Sequence, residues 1–118
     1  MKALQSNDQA VTLHALETIV ENGPAAVPFL KAALGHTETA YLACAAIERI
    51  GPPAAPTVPE LAAVLGKTKH SKMLIQALLA LASIGPAAGP AAPQIVPLLS
   101  HETDPTVPVA AAYALGSI

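Results

Sequence analysis

His14, Glu17 and Glu21 are the first residues whose types and spacing could do chemistry. Steps of three and seven residues can bring all three onto one helix face, and imidazole and carboxylate groups are common ligands of zinc and iron. A metal site of this kind needs further ligands from a second helix, and no matching His or carboxylate set recurs along the chain. We therefore interpret these residues as a polar face and predict no metal site and no bound cofactor.

Cys44 is the single cysteine, so an internal disulfide is excluded. A nucleophilic thiol needs a base or a positive charge that lowers its pKa, and no His or carboxylate stands at an activating spacing. Gly-rich phosphate loops, Cys-x-x-Cys pairs and nucleophile elbows do not occur either. We therefore expect a buried, inert thiol and a protein that is not an enzyme.

Lys67, Lys69 and Lys72 are three of the six basic residues, and they lie in one short segment. The net charge of −2 gives no general reason to expect nucleic acid, because phosphate binding needs clustered positive charge. We interpret the segment as a solvated loop between helices. The alternative is a contact with an acidic partner or with nucleic acid.

The composition of the chain limits the kinds of protein domain that it can form. Its 118 residues suit one domain, and they are 53% hydrophobic but only 12% charged, about half the charged fraction usual in such domains. Either some apolar surface is exposed, or another part of the protein covers it.

No run of 18 apolar residues occurs, which argues against a transmembrane helix, and residues 1–8 lack the apolar core of a signal peptide. The cellular location stays undecided.

An internal repeat organises the chain. Ile50-Gly51-Pro52 returns 34 residues later as Ile84-Gly85-Pro86. The same step pairs Ala43 with Ala77, Cys44 with Leu78, Ile47 with Leu81, Pro56 with Pro90, Pro59 with Pro93, Leu61 with Ile95 and Leu65 with Leu99. Self-similarity at this period is typical of a unit that buries its apolar face by stacking on copies of itself.

Each unit is predicted to be a pair of helices. The predicted first helices cover 26–34, 57–65 and 93–100, and the second helices cover 8–22, 39–50, 72–84 and 106–118. Gly23, Gly51 and Gly85 should end second helices in the left-handed conformation, with a proline following each. Pro28, Pro59 and Pro93 should open the first helices, Pro97 should shorten or bend the last of these, and Asp8 and Asp104 should cap second helices.

The run Val96-Pro97-Leu98-Leu99, the turn Asp104-Pro105-Thr106-Val107 and the sequence Ala-Ala-Tyr-Ala-Leu-Gly-Ser-Ile at 111–118 resemble the HEAT repeat in its short bacterial, phycobilisome-lyase-like form. The resemblance implies an all-α fold, a right-handed α-α superhelix of about three and a half helix pairs with the second helices on its inner surface. The repeats would span about 1–23, 24–51, 52–85 and 86–118 of a single domain.

One departure from the family pattern concerns a column of arginines. Where the family has Arg after Val in the second helix, this chain has Thr12, Ala40, Leu74 and Pro108. An Arg–Asp ladder between repeats should therefore be absent, so packing must carry the contacts between repeats. A basic inner surface would be lost with it.

Two columns of outward positions on the second helices are unusually apolar. The first column reads Leu13, Tyr41, Ile75 and Val109, and the second column reads Glu17, Ala45, Leu79 and Tyr113. Exposed helix positions are mostly charged in an ordinary repeat array, and contiguous apolar surface marks an interaction site. The columns predict a non-catalytic scaffold that binds a protein or peptide. Burial of these columns within the same protein is the alternative.

Two other functions stay open. The family resemblance implies, as one alternative, a lyase-associated or chromophore-handling subunit, and as another a nucleic-acid-binding domain, which the missing Arg column disfavours. Both ends look cut, because residues 1–5 are too short for a first helix and Ile118 falls where Gly and Pro would follow. We therefore expect a fragment of a longer array, and self-association through the terminal repeats.

Overall fold

The computed structural model describes residues 17–68, 70–101 and 104–118, and these are helical almost throughout, without a β-strand. The α-helices are α1 (Val27–Leu34), α2 (Thr37–Ile50), α3 (Val58–Lys67), α4 (Ser71–Ile84), α5 (Ala92–Ile95) and α6 (Thr106–Ser117), and residues 17–22 are also helical. Short 3-10 helices cover Gly23–Ala26, Pro52–Thr57, Gly85–Ala91 and Val96–Ser100. The prediction of an all-α chain is confirmed.

The helices form two layers. The second helices α2, α4 and α6 lie side by side in chain order, with α4 in the middle. The first helices α1, α3 and α5 contact one another in the same order and pack on the second helices. The overall extents of 36 × 27 × 19 Å agree with this arrangement, because two helices of about 10 Å diameter account for the shortest dimension.

The contact between neighbouring second helices is built from alanine. Ala43, Ala77 and Ala111 occupy equivalent positions on α2, α4 and α6, and all three are fully buried. A second set of equivalent residues, Ala46, Ala80 and Ala114, is fully buried as well. Because a methyl group takes little room, the three helices can approach closely along their length. Ile47 and Leu81 are fully buried in the same core.

Polar contacts add little to this packing. The Glu48 side chain accepts a hydrogen bond from Gln76 Nε2 at 2.7 Å, and the Glu48 carbonyl accepts one from Ser83 Oγ at 2.6 Å, so both bonds join α2 to α4. Within the ranges the structure describes, the ion pair found is Lys31–Glu60, at 4.0 Å between α1 and α3. An exposed pair of this kind contributes at most about 1 kcal/mol. Apolar packing therefore carries most of the contact between repeats.

Glycines end α2 and α4 in a conformation that other residues rarely adopt. Gly51 has φ 78° and ψ −141°, and Gly85 has φ 83° and ψ −145°. The predicted positive φ is confirmed, but the predicted left-handed helical conformation is wrong, because that conformation needs a positive ψ. The observed backbone still lets each glycine N–H donate back into its helix, and it turns the chain into the following proline and 3-10 helix.

Prolines lie in the first turn of the first helices as predicted, since Pro28, Pro59 and Pro93 are each the second residue of α1, α3 and α5. Pro97 also acts as predicted. Since proline has no N–H for the α-helical ladder, α5 ends after four residues and the chain continues as the 3-10 helix Val96–Ser100.

Because of this change of helix type, Leu65 and Leu99, which the 34-residue step pairs in the sequence, have different surroundings. Leu65 is buried, whereas Leu99 is exposed. In a 3-10 helix, residues three positions apart lie on the same face, so Leu98 lies on the same face as Ile95. Leu98 therefore packs against the core, and Leu99, the repeat equivalent of Leu65, does not.

Asp104 accepts a hydrogen bond from a free N–H group at the start of α6, as predicted, although Pro105 is the N-cap residue itself. Its carboxylate accepts hydrogen bonds from the Thr106 hydroxyl and, at 2.9 Å, from the Thr106 N–H. These bonds favour the ionised form and lower the pKa of Asp104 below its usual range. The corresponding Asp8 lies outside the described residues.

The segment Ser71–Ser100 has the length of a membrane span and contains an 18-residue window with a mean hydropathy of 1.5. It is not one helix, however, because α4 ends at Gly85 and the chain folds back so that Gly85–Ala91 and α5 pack against α3. The 14 residues of α4 rise only about 21 Å, less than the ~30 Å of a bilayer core. We attribute the apolar composition of α4 to its central place between α2 and α6.

Replacing Gly85 with Ala should destabilise the fold by about 1–3 kcal/mol, because a side chain is strained at this backbone conformation even though no atom lies within 4 Å of the added Cβ. Gly66→Ala is the matched control, since Gly66 lies within α3 and has equally open surroundings. The control should be neutral or stabilising by ~0.5–1 kcal/mol. Urea unfolding of both variants measures the difference, and equal midpoints would show that the Gly85 conformation is not required.

Candidate functional site

The first column follows the exposed edge of the second-helix layer. Tyr41 on α2 is 44% exposed, Ile75 on α4 is partly buried against the core, and Val109 on α6 is 70% exposed. Leu13 lies outside the described residues. Ile75 is the most sheltered of the three because α4 has a neighbour on both sides.

The second column shows the same trend. Ala45 and Leu79 are partly buried, whereas Tyr113 on α6 is 61% exposed. Glu17 is exposed and lies at the start of the described chain, in the helical residues 17–22. The two columns therefore form a surface with a shallow centre on α4 and exposed side chains on α2 and α6. We call these residues the column surface.

The column surface contains most of the large apolar side chains that face solvent. Within the described residues, five large hydrophobic side chains are exposed: Tyr41, Val96, Leu99, Val109 and Tyr113. Three of these five belong to the columns predicted from the sequence. The other two, Val96 and Leu99, lie on the 3-10 helix Val96–Ser100, which contains Pro97. Only the break at Pro97 could have indicated their exposure.

The composition of the column surface is suited to binding. Tyrosine offers a broad ring with a polar tip, which is why it is common in interfaces. Val109 and Tyr113 stand one turn apart on α6 and can contact one ligand together. Glu17 is the single carboxylate of the two columns.

Cys44 lies away from this surface, on the inner side of α2. The residue is fully buried, and burial raises the pKa of its thiol to about 12. Leu78, its equivalent on α4, is also fully buried, but Ala112 on α6 is exposed. The expectation of a buried thiol is confirmed.

Metal ligands are not gathered in the part of the chain that the structure describes, where no three His, Cys, Asp or Glu residues form a group able to hold an ion. Glu17 and Glu21 are both exposed on residues 17–22. His14, the third member of the predicted polar face, lies outside the described residues. The prediction that no metal is bound stays a prediction.

The basic segment lies at the turn between α3 and α4. Lys67 is the last residue of α3, Lys72 lies in the first turn of α4, and both are exposed, while Lys69 lies outside the described residues. Sequence reasoning identified this loop but missed the apolar groove beside it, which is lined by Leu34, Ala40, Val64 and Met73. These four residues come from four helices, so no local pattern could have grouped them.

Comparison of the chain with protein-family models, curated proteins and solved structures found no match. The resemblance to HEAT repeats therefore rests on the residues that carry it.

Cys44 should react with a thiol reagent at neutral pH at least about a hundredfold more slowly in the folded chain than in urea, because burial removes both access and thiolate. The rate of colour release with an aromatic disulfide reagent measures this. Similar rates in both states would mean that the thiol is accessible and would reopen a redox role.

The free energy of unfolding should fall as the pH rises above about 9. The pKa of Cys44 is about 12 in the folded chain against 9.0 ordinarily, so the unfolded chain loses the thiol proton first. The loss is at most about 1.4 kcal/mol per pH unit, and it should be smaller in Cys44→Ala. Urea midpoints at pH 8 and pH 10.5 for both proteins measure it, and identical losses would contradict the prediction.

Proposed function

We propose that this chain is a non-catalytic scaffold that binds a protein or peptide through the column surface. The observation that carries the proposal is the exposure of Tyr41 on α2 and of Val109 and Tyr113 on α6, with the partly buried Ile75 and Leu79 of α4 between them. Contiguous apolar surface of this kind costs solubility unless something covers it. A partner that covers it would gain free energy from apolar burial and from the tyrosine rings.

The proposed fold is a HEAT-type, right-handed α-α superhelix with its second helices inward. The backbone supports repetition at the 34-residue step, since Gly51 and Gly85 share φ values of 78° and 83°. Thr57 has φ −84° and ψ −4°, and its equivalent Ala91 has φ −84° and ψ −8°. In such an array the columns would repeat on every unit, which gives an elongated ligand several equivalent contacts.

The absence of catalysis is part of the proposal. The described column residues offer aromatic and aliphatic side chains and one carboxylate, without a base held beside a nucleophile. No observation within the described residues specifically favours a chromophore-handling or a nucleic-acid-binding role. Self-association through terminal repeats, and the absence of a membrane partner, stay predictions.

Peptide ligands selected from a display library against the folded chain test the proposal. The variant V109S/Y113S should bind them at least about tenfold more weakly, because it removes the two most exposed apolar groups of the column surface. Both residues are more than half exposed, so the helical content and the urea midpoint should change little.

V96S/L99S is the matched control, because it removes two exposed apolar side chains of similar kind outside the columns. This variant should bind the selected peptides within about twofold of the original chain. Equal losses in the two variants would indicate general hydrophobic adsorption. If neither variant loses affinity, the column surface is not the binding site.

A further inference from the structure

A groove runs along the edge of the molecule where the α1–α2 and α3–α4 turns meet. Its deeper part has a volume of about 410 Å³ and is lined by Leu34, Gly35, Ala40, Val64, Lys67, Thr68, His70 and Met73. This volume lies within the ~300–1,000 Å³ range of small-ligand sites. The groove is therefore large enough for one or two side chains of a bound peptide.

The groove continues into a shallower depression that reaches the column surface. This second part, of about 630 Å³, is lined by Tyr41, Thr68, His70, Ser71, Lys72 and Met73. Thr68, His70 and Met73 line both parts, so the two form one continuous groove. Tyr41 belongs to the first column, so a ligand on the column surface can extend directly into the groove.

The groove combines an apolar floor with a basic rim. Leu34 and Val64 are buried beneath it and Met73 is partly buried, so they give it an apolar floor. Lys67 lines the deep part and Lys72 the shallow part, and both are exposed. Among the residues that the structure describes, no Asp or Glu lines either part, and neither lysine forms an ion pair.

One carboxylate approaches the rim from the next turn. Asp104 interacts with the side chain of Ser71, which lines the shallow part of the groove. Its Oδ1 accepts hydrogen bonds from the Thr106 hydroxyl and N–H, which hold it at the start of α6. Among the described residues, no ion pair joins Asp104 to Lys67 or Lys72, so both lysines remain available to a ligand.

We propose that the groove binds an acidic peptide segment, with an apolar side chain on the floor between Leu34 and Met73 and a carboxylate at Lys67 or Lys72. The argument for this occupant is charge complementarity: two unpaired lysines flank an apolar floor in a chain whose net charge is −2. The inference rests on the proposed scaffold function and names the chemistry of its partner. Nucleic acid fits less well, because phosphate binding needs clustered positive charge, and two lysines in a chain of net charge −2 provide few phosphate contacts.

Two fluorescein-labelled peptides test the proposal by anisotropy: one alternates Asp and Leu, and the other has Asn in place of every Asp. The original chain should bind the acidic peptide about tenfold more tightly than the neutral one. K67Q/K72Q should remove most of this preference while leaving the neutral peptide's affinity unchanged. Met73→Gln, which keeps the side-chain length and makes the floor polar, should weaken both peptides several-fold.

K31Q/R49Q is the matched control, because it removes the same number of charges from exposed residues that do not line the groove. It should keep the preference for the acidic peptide within about twofold. Equal loss in both double variants, failure of the acidic peptide to bind, or displacement of it by a single-stranded oligonucleotide would each overturn the proposal.

V109S/Y113S separates this inference from the proposed function. If that variant loses affinity for peptides selected on the column surface while K67Q/K72Q keeps the acid preference, the column surface binds and the groove does not select acids. If V109S/Y113S binds both the selected peptides and the acidic peptide normally while K67Q/K72Q loses the acid preference, the groove is a site on its own and the column surface is not.

Discussion

The close contact of the second helices through alanine is the constraint on which the rest of the structure depends. Ala43, Ala77 and Ala111 are fully buried at equivalent positions on three neighbouring helices. A larger side chain at any of them would push two helices apart and open the layer beneath. The low aromatic content of 3% follows from the same geometry, because a thin two-layer fold has no wide core for rings to fill.

This packing also explains how apolar side chains come to face solvent. When small residues occupy the contact, larger apolar residues on the outer face of each helix have no partner within the layer. The solvent exposure of these side chains is lowest on α4, where neighbouring helices on both sides shelter Ile75. It is highest on α6, where Val109 and Tyr113 are exposed. The proposed binding surface is thus a direct result of how the helices stack.

The turns between helices determine where polar chemistry can occur. Apolar packing occupies the inner faces, so the charged residues Lys67 and Lys72 lie at the α3–α4 turn, beside residues from α1 and α2. A groove with an apolar floor and a basic rim arises only because two such turns are adjacent. Cys44, by contrast, is enclosed by the helix layer, and burial keeps its thiol protonated.

The sequence by itself determined the local features: the helices, their glycine ends, their proline starts, and the break at Pro97. These depend on backbone chemistry within a few residues, which a repeated pattern makes visible. The sequence also located the two outward columns, because the helix period determines which residues lie on the same face. The tertiary structure decided which column members are exposed, why Leu98 replaces Leu99 in the core, and that Leu34, Val64 and Met73 share a groove with two lysines. Burial and grooves are formed by residues far apart in the chain, so only the packed helices define them.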